Sequence, residues 1–100
     1  MANKWNWGMN LKGFSIVWSK RAKKNLDKID KKDANTVLRK VNLLVTKEDM
    51  VDVKKIVDKK NLYRLRSGQY RVIYTIYEQE VIILVIDVGH RKEIYKNLIW

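Results

Sequence analysis

The 100-residue sequence contains no cysteine and no proline, only four glycines and a single histidine. The absence of cysteine excludes disulfide bonds and thiolate metal sites such as zinc fingers, and it suits a reducing compartment. The longest apolar run, residues 81–88, is interrupted by Asp87 and is far shorter than the roughly 20 residues of a membrane-spanning helix. The first ten residues hold no continuous apolar segment, so they do not resemble a secretory signal. We therefore expect a cytoplasmic protein.

Acidic side chains are also scarce. The sequence has 22 Lys and Arg against 11 Asp and Glu, which gives a formal net charge of +11 and a pI near 10.0. The electric field of such a positive net charge attracts polyanions, of which nucleic acid is the commonest. An acidic protein or an anionic membrane would be attracted in the same way. Hydrophobic residues make up 46% of the chain, which is enough for a folded core and argues against disorder.

The first half of the chain alternates a short strand pattern with two helical patterns. Residues 14–18 combine β-branched and aromatic side chains, which favours a strand. Ser19 is placed to cap the first helix and Asp33 the second, in which apolar residues recur at helical spacing as far as Val45. Residues 46–60 scatter apolar side chains among charged ones, and we interpret them as a connecting segment with room for one short helical turn.

The second half carries three strand patterns separated by short turns. The predicted strands are residues 62–66, 70–77 and 81–88, with turns at 67–69 and 78–80. The sequence thus predicts an α+β fold with an N-terminal strand, a two-helix hairpin, a three-stranded antiparallel meander packed on the helices, and a short C-terminal helix or tail. No repeat or low-complexity linker divides the chain, so we expect one domain over residues 14–100, preceded by a flexible extension over residues 1–13.

Arginines flank the turn between the first two of these strands. Arg64 and Arg66 are two residues apart on a strand and share one face, and the turn brings Arg71 back beside them. Like charges side by side cost stability, and residues 62–76 contain no carboxylate to neutralise them. Two interpretations stay open, phosphate binding and structural salt bridges. Salt bridges would need carboxylates from the helices or from Glu78, Glu80, Asp87 or Glu93.

A second polar cluster follows the last predicted strand. In an antiparallel meander this segment emerges at the end where the arginine-flanked turn lies, so His90, Arg91 and Tyr95 are expected near the arginines. Surrounding positive charge favours the neutral, proton-accepting form of His90. The alternatives are that His90 is an ordinary polar residue and that Tyr95 packs on the sheet instead of stacking on a base.

The strings LYRLRSGQYRVIY and VIDVGHRKEIYK, together with the order of elements, resemble the RelE/ParE toxin superfamily of bacterial and archaeal toxin–antitoxin operons. The resemblance covers residues 14–96. In the RelE branch it implies a ribosome-dependent endoribonuclease that cuts mRNA in the ribosomal A site, uses the ribose 2′-hydroxyl as nucleophile and needs no metal or other cofactor. In the ParE branch it implies inhibition of DNA gyrase without RNA cleavage. Either branch implies an antitoxin partner and no membrane partner.

The resemblance also implies roles for individual residues. Arg64 takes the position of a catalytic lysine, Arg71 that of a phosphate-contacting arginine, Arg91 that of a charge-stabilising arginine and Tyr95 that of a base-stacking tyrosine. The chain departs from the pattern at Leu62, where a further lysine is usual, and an arginine at position 64 is a poor general base. His90 is the candidate for proton transfer. The predicted RNA-binding surface is completed by Arg66, Lys59, Lys60 and Lys92.

Overall fold

The computed structural model describes residues 11–56 and 61–98, with side chains as far as residue 96. Two α-helices and five β-strands make up the regular structure of these residues. They are β1 (Ser15–Trp18), α1 (Lys20–Asp27), α2 (Lys31–Thr46), β2 (Asp52–Lys55), β3 (Tyr63–Ser67), β4 (Tyr70–Tyr77) and β5 (Ile82–His90). Short 3-10 helices cover Glu48–Met50 and Ile94–Leu98.

The strands form one five-stranded sheet in the order β1-β5-β4-β3-β2. The first strand pairs with β5 in parallel, whereas all other neighbours are antiparallel. The predicted α+β fold and its three-stranded meander, β3-β4-β5, are confirmed. Within residues 46–60, the 3-10 helix Glu48–Met50 confirms the predicted short helical turn. The interpretation of the segment as only a connection was wrong, because Asp52–Lys55 adds a strand to the free edge of β3.

The two predicted helix caps had different outcomes. Ser19 caps α1 as predicted: its hydroxyl accepts a hydrogen bond from Ala22 N at 3.0 Å and donates one to Ile86 O at 2.7 Å. Asp33 does not cap α2. The extended backbone at Asp30 starts that helix at Lys31, and Asp33 lies within the first turn, where its negative charge complements the helix dipole.

Both helices cover the same face of the sheet, and the main core lies between them and the strands. Side chains of α2 such as Val41 and Leu44 meet Leu65, Val72 and Val85 from the central strands, all fully buried. Burial of such side chains contributes about 1.5–3 kcal/mol each. The core thus fixes which residues of each strand point away from the helices.

The N-terminal end of the described chain also enters this core. Leu11, which falls in the predicted extension, is fully buried among the core side chains. Residues 1–10 of that predicted extension lie outside the described residues. None of the helices that the structure describes is long and apolar enough to cross a membrane.

A β-bulge changes the direction of side chains near the end of β5. Ile73 lies opposite Asp87 and Tyr74 lies opposite Val85, so that Ile86 has no partner on β4. Asp87 points toward α1, on the same side as Val85, and after the bulge Val88 also enters the core on that side. The Asp87 carboxylate accepts from the side chain of Asn25 at 2.7 Å.

The sheet face away from α1 and α2, here called the open face, carries a second small apolar cluster. Ile73 packs there with Leu62 and with Ile94 from the C-terminal 3-10 helix. Ile94 also approaches Gly89 so closely that a Cβ at that glycine would lie 3.3 Å from its Cδ1 atom. These contacts hold the segment after β5 against the open face, beside the arginines of β3.

Candidate functional site

The pairing of β2 with β3 sets the polar residues of the open face. Asp52 lies opposite Arg66, and Lys54 lies opposite Arg64. Directly paired residues project to the same side of a sheet, so these four side chains share the open face while Val53 enters the core. The site predicted from β3 alone therefore has a second row of charged residues beside it.

Asp52 binds both arginines of β3. One carboxylate oxygen lies 3.2 Å from Arg64 Nη2 and the other lies 3.7 Å from Arg66 Nη1. The side chain of Arg64 is 14% exposed and its Nε is buried without a hydrogen-bond partner, whereas Arg66 is 55% exposed. The arginine pair is thus only partly neutralised, by one carboxylate shared between two guanidinium groups.

The sequence placed the neutralising carboxylates elsewhere. The sequence predicts them at Glu78, Glu80, Asp87, Glu93 or in the helices, yet Asp87 pairs with Arg21 on α1 and Glu93 pairs with Lys96. The expectation was wrong because it treated residues 46–60 as irregular. A signal was available in the alternation of Val51 and Val53, both buried, with polar neighbours.

Arg71 lies directly opposite Arg66, as predicted, but its guanidinium group turns toward the hairpin. Nη1 donates to the carbonyl oxygens of Gly68 at 2.8 Å and Tyr70 at 2.9 Å, and the residue is 8% exposed. Gly68 has φ +59, a conformation that favours glycine. Arg71 therefore stabilises this turn, and its guanidinium group points away from that of Arg66. The Nε and Nη2 groups of Arg71 remain as further donors.

A cleft of about 230 Å³ brings Arg64 and Tyr95 together. Lys54, Lys55 and Ile56 complete its lining, and Tyr95 is 44% exposed. Two residue types needed to bind a nucleotide are present here, cations for the phosphate and an aromatic ring for the base. Lys54 and Lys55 were missed by the sequence prediction for the same reason as Asp52.

The hairpin turn contacts the end of β5, where His90 and Arg91 lie. The backbone N–H of Arg91 donates to Gln69 O at 2.7 Å. His90 Nε2 lies 3.0 Å from the Gln69 side-chain oxygen, and His90 Nδ1 accepts from Lys92 N at 3.2 Å. This arrangement assigns the proton of a neutral ring to Nε2. His90 also belongs to β5 itself, which ends two residues beyond the predicted strand end at residue 88.

The predicted site residues therefore form two groups beside the open face. Arg64 and Tyr95 share the cleft, whereas Arg71, His90 and Arg91 gather at the hairpin end. Arg91 and Lys92 are exposed, and the guanidinium of Arg91 has no ion pair or hydrogen bond within the described ranges. Arg66 is exposed beside Asp52. Lys59 and Lys60 lie outside the described residues.

This fold and its cationic open face define the class of RelE-like toxins, and solved structures support that class. The chain is similar to the archaeal RelE of a RelE–RelB complex from Pyrococcus horikoshii OT3, with a TM-score of 0.66, 25% identity and coverage of 83% of this chain and 97% of that one. The RelE of an E. coli RelBE complex gives a TM-score of 0.62 at 26% identity, covering 77% and 95%.

A third similar structure is a RelB–RelE complex from Methanococcus jannaschii, with a TM-score of 0.66, 25% identity and coverage of 81% and 96%. Residues 16–95 match the family described as the ParE toxin of type II toxin-antitoxin system, parDE. The chain belongs to this family, and thus to the RelE/ParE toxin superfamily that the sequence predicted. Comparison with curated protein sequences gives no match.

Proposed function

We propose that this toxin is a ribosome-dependent endoribonuclease that cuts mRNA in the ribosomal A site, with the ribose 2′-hydroxyl as nucleophile and without a metal ion. The observation that carries the proposal is the cleft in which Arg64 and Lys54 lie beside the exposed ring of Tyr95. A gyrase inhibitor has no need of a nucleotide-sized cleft that is lined by both cations and an aromatic ring.

The proposed chemistry distributes three tasks over the two groups of residues. Arg64 binds the scissile phosphate, and Tyr95 stacks on an adjacent base. Arg91, which is exposed and has no ion pair within the described ranges, stabilises the charge that grows on the phosphate in the transition state. Arg71 supports this arrangement by fixing the turn, and its remaining N–H groups are available to a second phosphate oxygen.

Proton transfer is assigned to Lys54 and His90. His90 accepts the proton of the attacking 2′-hydroxyl at Nδ1 once the Lys92 N–H has released that nitrogen. The ammonium group of Lys54, directly opposite Arg64, donates a proton to the leaving 5′-oxygen, which the guanidinium of Arg64 is too weak an acid to do. Arg66 and Lys92 then contribute the RNA-binding charge around the cleft, together with Lys59 and Lys60.

The proposal includes a protein partner. The similar structures from Pyrococcus horikoshii OT3 and Methanococcus jannaschii are complexes of RelE with RelB. We infer that this chain likewise binds a cognate antitoxin in the cytoplasm. A net charge of +11 favours a partner with an acidic surface.

Expression in growing cells tests the function directly. A brief pulse of the wild-type chain should arrest growth and create new mRNA 5′ ends that are phased with codons and confined to translated messages. Arg91→Ala should reduce cleavage by about 100-fold or more, because a lost transition-state contact costs about 3 kcal/mol. Arg39→Ala, which removes an exposed arginine from α2, is the matched control and should cut like the wild type.

Gyrase inhibition is the second candidate, because the matching family is described by its ParE toxin. The same cultures separate the two functions through the supercoiling of a reporter plasmid and the DNA damage response. If supercoiling changes while the mRNA 5′ ends stay as they were, the chain is a gyrase inhibitor and the nuclease proposal is contradicted. New 5′ ends that are equally frequent in Arg91→Ala would instead contradict the proposed role of that residue.

A further inference from the structure

The carboxylate of Asp52 lies between two guanidinium groups of the proposed RNA-binding face. Its oxygens point to different arginines, Oδ1 to Arg64 Nη2 at 3.2 Å and Oδ2 to Arg66 Nη1 at 3.7 Å. The β2–β3 register fixes this position, since Asp52 is paired with Arg66 and Arg64 lies two residues along the same strand. A carboxylate and a phosphodiester both present two anionic oxygens to such donors.

The ion pairs of Asp52 with Arg64 and Arg66 are weak enough to be broken by a competing anion. Asp52 is 47% exposed and Arg66 is 55% exposed, so solvent and salt screen their attraction. Both distances exceed the roughly 2.7–2.9 Å of a strong charge-assisted hydrogen bond. Arg64 Nε has no acceptor within the described residues, so the carboxylate leaves part of the arginine's donor capacity unused.

We propose that Asp52 is an intramolecular competitor of RNA: its carboxylate occupies the Arg64 and Arg66 pair in the free protein, and a backbone phosphate displaces it on binding. The identity of the incoming anion as an RNA phosphate rests on the proposed function. The consequence is that the native sequence binds RNA less tightly than its arginines allow.

A purely structural role for Asp52 makes the opposite prediction. If the carboxylate only held the two arginines in place, its loss would disorder them and weaken RNA binding. Asp52→Asn distinguishes the two roles, because asparagine has nearly the same shape and keeps an oxygen that accepts from an arginine N–H, while the negative charge is gone.

The test measures the affinity of the purified chain for a fluorescently labelled single-stranded RNA by anisotropy at several salt concentrations. Asp52→Asn should bind about three- to tenfold more tightly near 0.1 M salt, the size expected for removing one nearby repulsive charge. The plot of log affinity against log salt should steepen by up to about one. Asp27→Asn, which makes the same charge change at an exposed end of α1, should stay within about twofold of the wild type.

A second background makes the assignment specific. In an Arg64→Ala/Arg66→Ala chain, shown to be folded by circular dichroism, adding Asp52→Asn should give no more affinity than adding Asp27→Asn. The proposal would be overturned if, in the otherwise native chain, Asp52→Asn bound RNA no more tightly than Asp27→Asn. It would also be overturned if Asp52→Asn raised the affinity equally in the native chain and in the chain without the two arginines. This test does not depend on catalysis. If Asp52→Asn raises the affinity for RNA but the chain cuts no translated mRNA, the nuclease proposal fails while the proposed competition by Asp52 holds.

Discussion

Two side-chain atoms within the described residues are buried without a hydrogen-bond partner, and they have different meanings. One is Arg64 Nε, at the edge of the proposed RNA site. The other is the hydroxyl of Tyr74, a fully buried core residue whose ring stacks on Tyr63 at a centroid distance of 5.5 Å. An unpaired buried donor costs folding free energy in both places, but Arg64 belongs to the proposed RNA site, whereas the Tyr74 hydroxyl lies in the core.

We predict that Tyr74→Phe leaves stability unchanged or raises it by up to about 1 kcal/mol at neutral pH, because the stacked ring stays and an unsatisfied hydroxyl is removed. Urea unfolding measures this difference. A loss of more than about 1 kcal/mol would show that the hydroxyl has a partner, such as a buried water.

The same variant has a distinctive response to pH. Burial raises the pKa of Tyr74 far above its ordinary value of 10.0, and Tyr63 adds to the rise. The folded chain then keeps a proton that the unfolded chain loses above about pH 10, so stability is complete below that pH and falls above it by up to about 1.4 kcal/mol per pH unit. Tyr74→Phe should show a smaller loss between about pH 10 and pH 11, and an identical slope would contradict the assignment.

At the scale of elements, the carboxylate of Asp87 joins α1 to β5. It accepts from the side chain of Asn25 at 2.7 Å and from Val88 N at 2.9 Å, and it pairs with Arg21 at 3.2 Å. Asp87 is 2% exposed while Arg21 is 51% exposed, so the buried hydrogen bonds outweigh the solvent-screened ion pair.

Asp87→Ala should therefore lower the free energy of unfolding by about 2–4 kcal/mol, because buried donors lose their acceptor. Arg21→Ala should cost less than about 1 kcal/mol and serves as the comparison. Chemical denaturation of the two variants checks the order. Equal losses of unfolding free energy in the two variants would mean that the exposed ion pair, not the buried hydrogen bonds, provides most of the stabilisation between α1 and β5.

The elements differ in how well the sequence revealed them. The strand of residues 70–77 and the amphipathic helix α2 carry strong periodic patterns, and their existence was predicted correctly. The helix start was placed three residues too late at Asp33, because several polar residues near Asp30 offered similar local signals. Strand β2 was missed, since only four residues form it and its stability comes from pairing with β3.

That missed strand accounts for most of what the sequence could not reveal about the site. The proximity of Arg66 and Arg71 followed from the turn between their strands. The carboxylate that Asp52 shares between two arginines, and the place of Lys54 in the cleft, could be predicted only by knowing that β2 pairs with β3. The direction of the Arg71 guanidinium, toward carbonyls of its own turn, depends on a rotamer that no sequence pattern reports.

At the scale of the whole molecule, a net charge of +11 is distributed over a fold that is similar to structures described as RelE and that matches a family described by its ParE toxin. Charge alone explains attraction to RNA, to an acidic antitoxin or to another acidic protein surface. The arrangement of the open face is more selective, since it places Tyr95 and Arg64 along one cleft and leaves Arg91 exposed. The proposed nuclease activity therefore depends on the chemistry of this face.

The most direct measurement adds the purified chain to ribosomes that hold an end-labelled mRNA with a defined A-site codon. We predict one cut within that codon, leaving a 2′,3′-cyclic phosphate or its hydrolysis product, with or without a chelator present. Replacing the 2′-hydroxyl at the scissile nucleotide by hydrogen should abolish the cut, because the nucleophile is gone. Cleavage of the 2′-deoxy message, or an intact natural message at saturating toxin, would contradict the central claim.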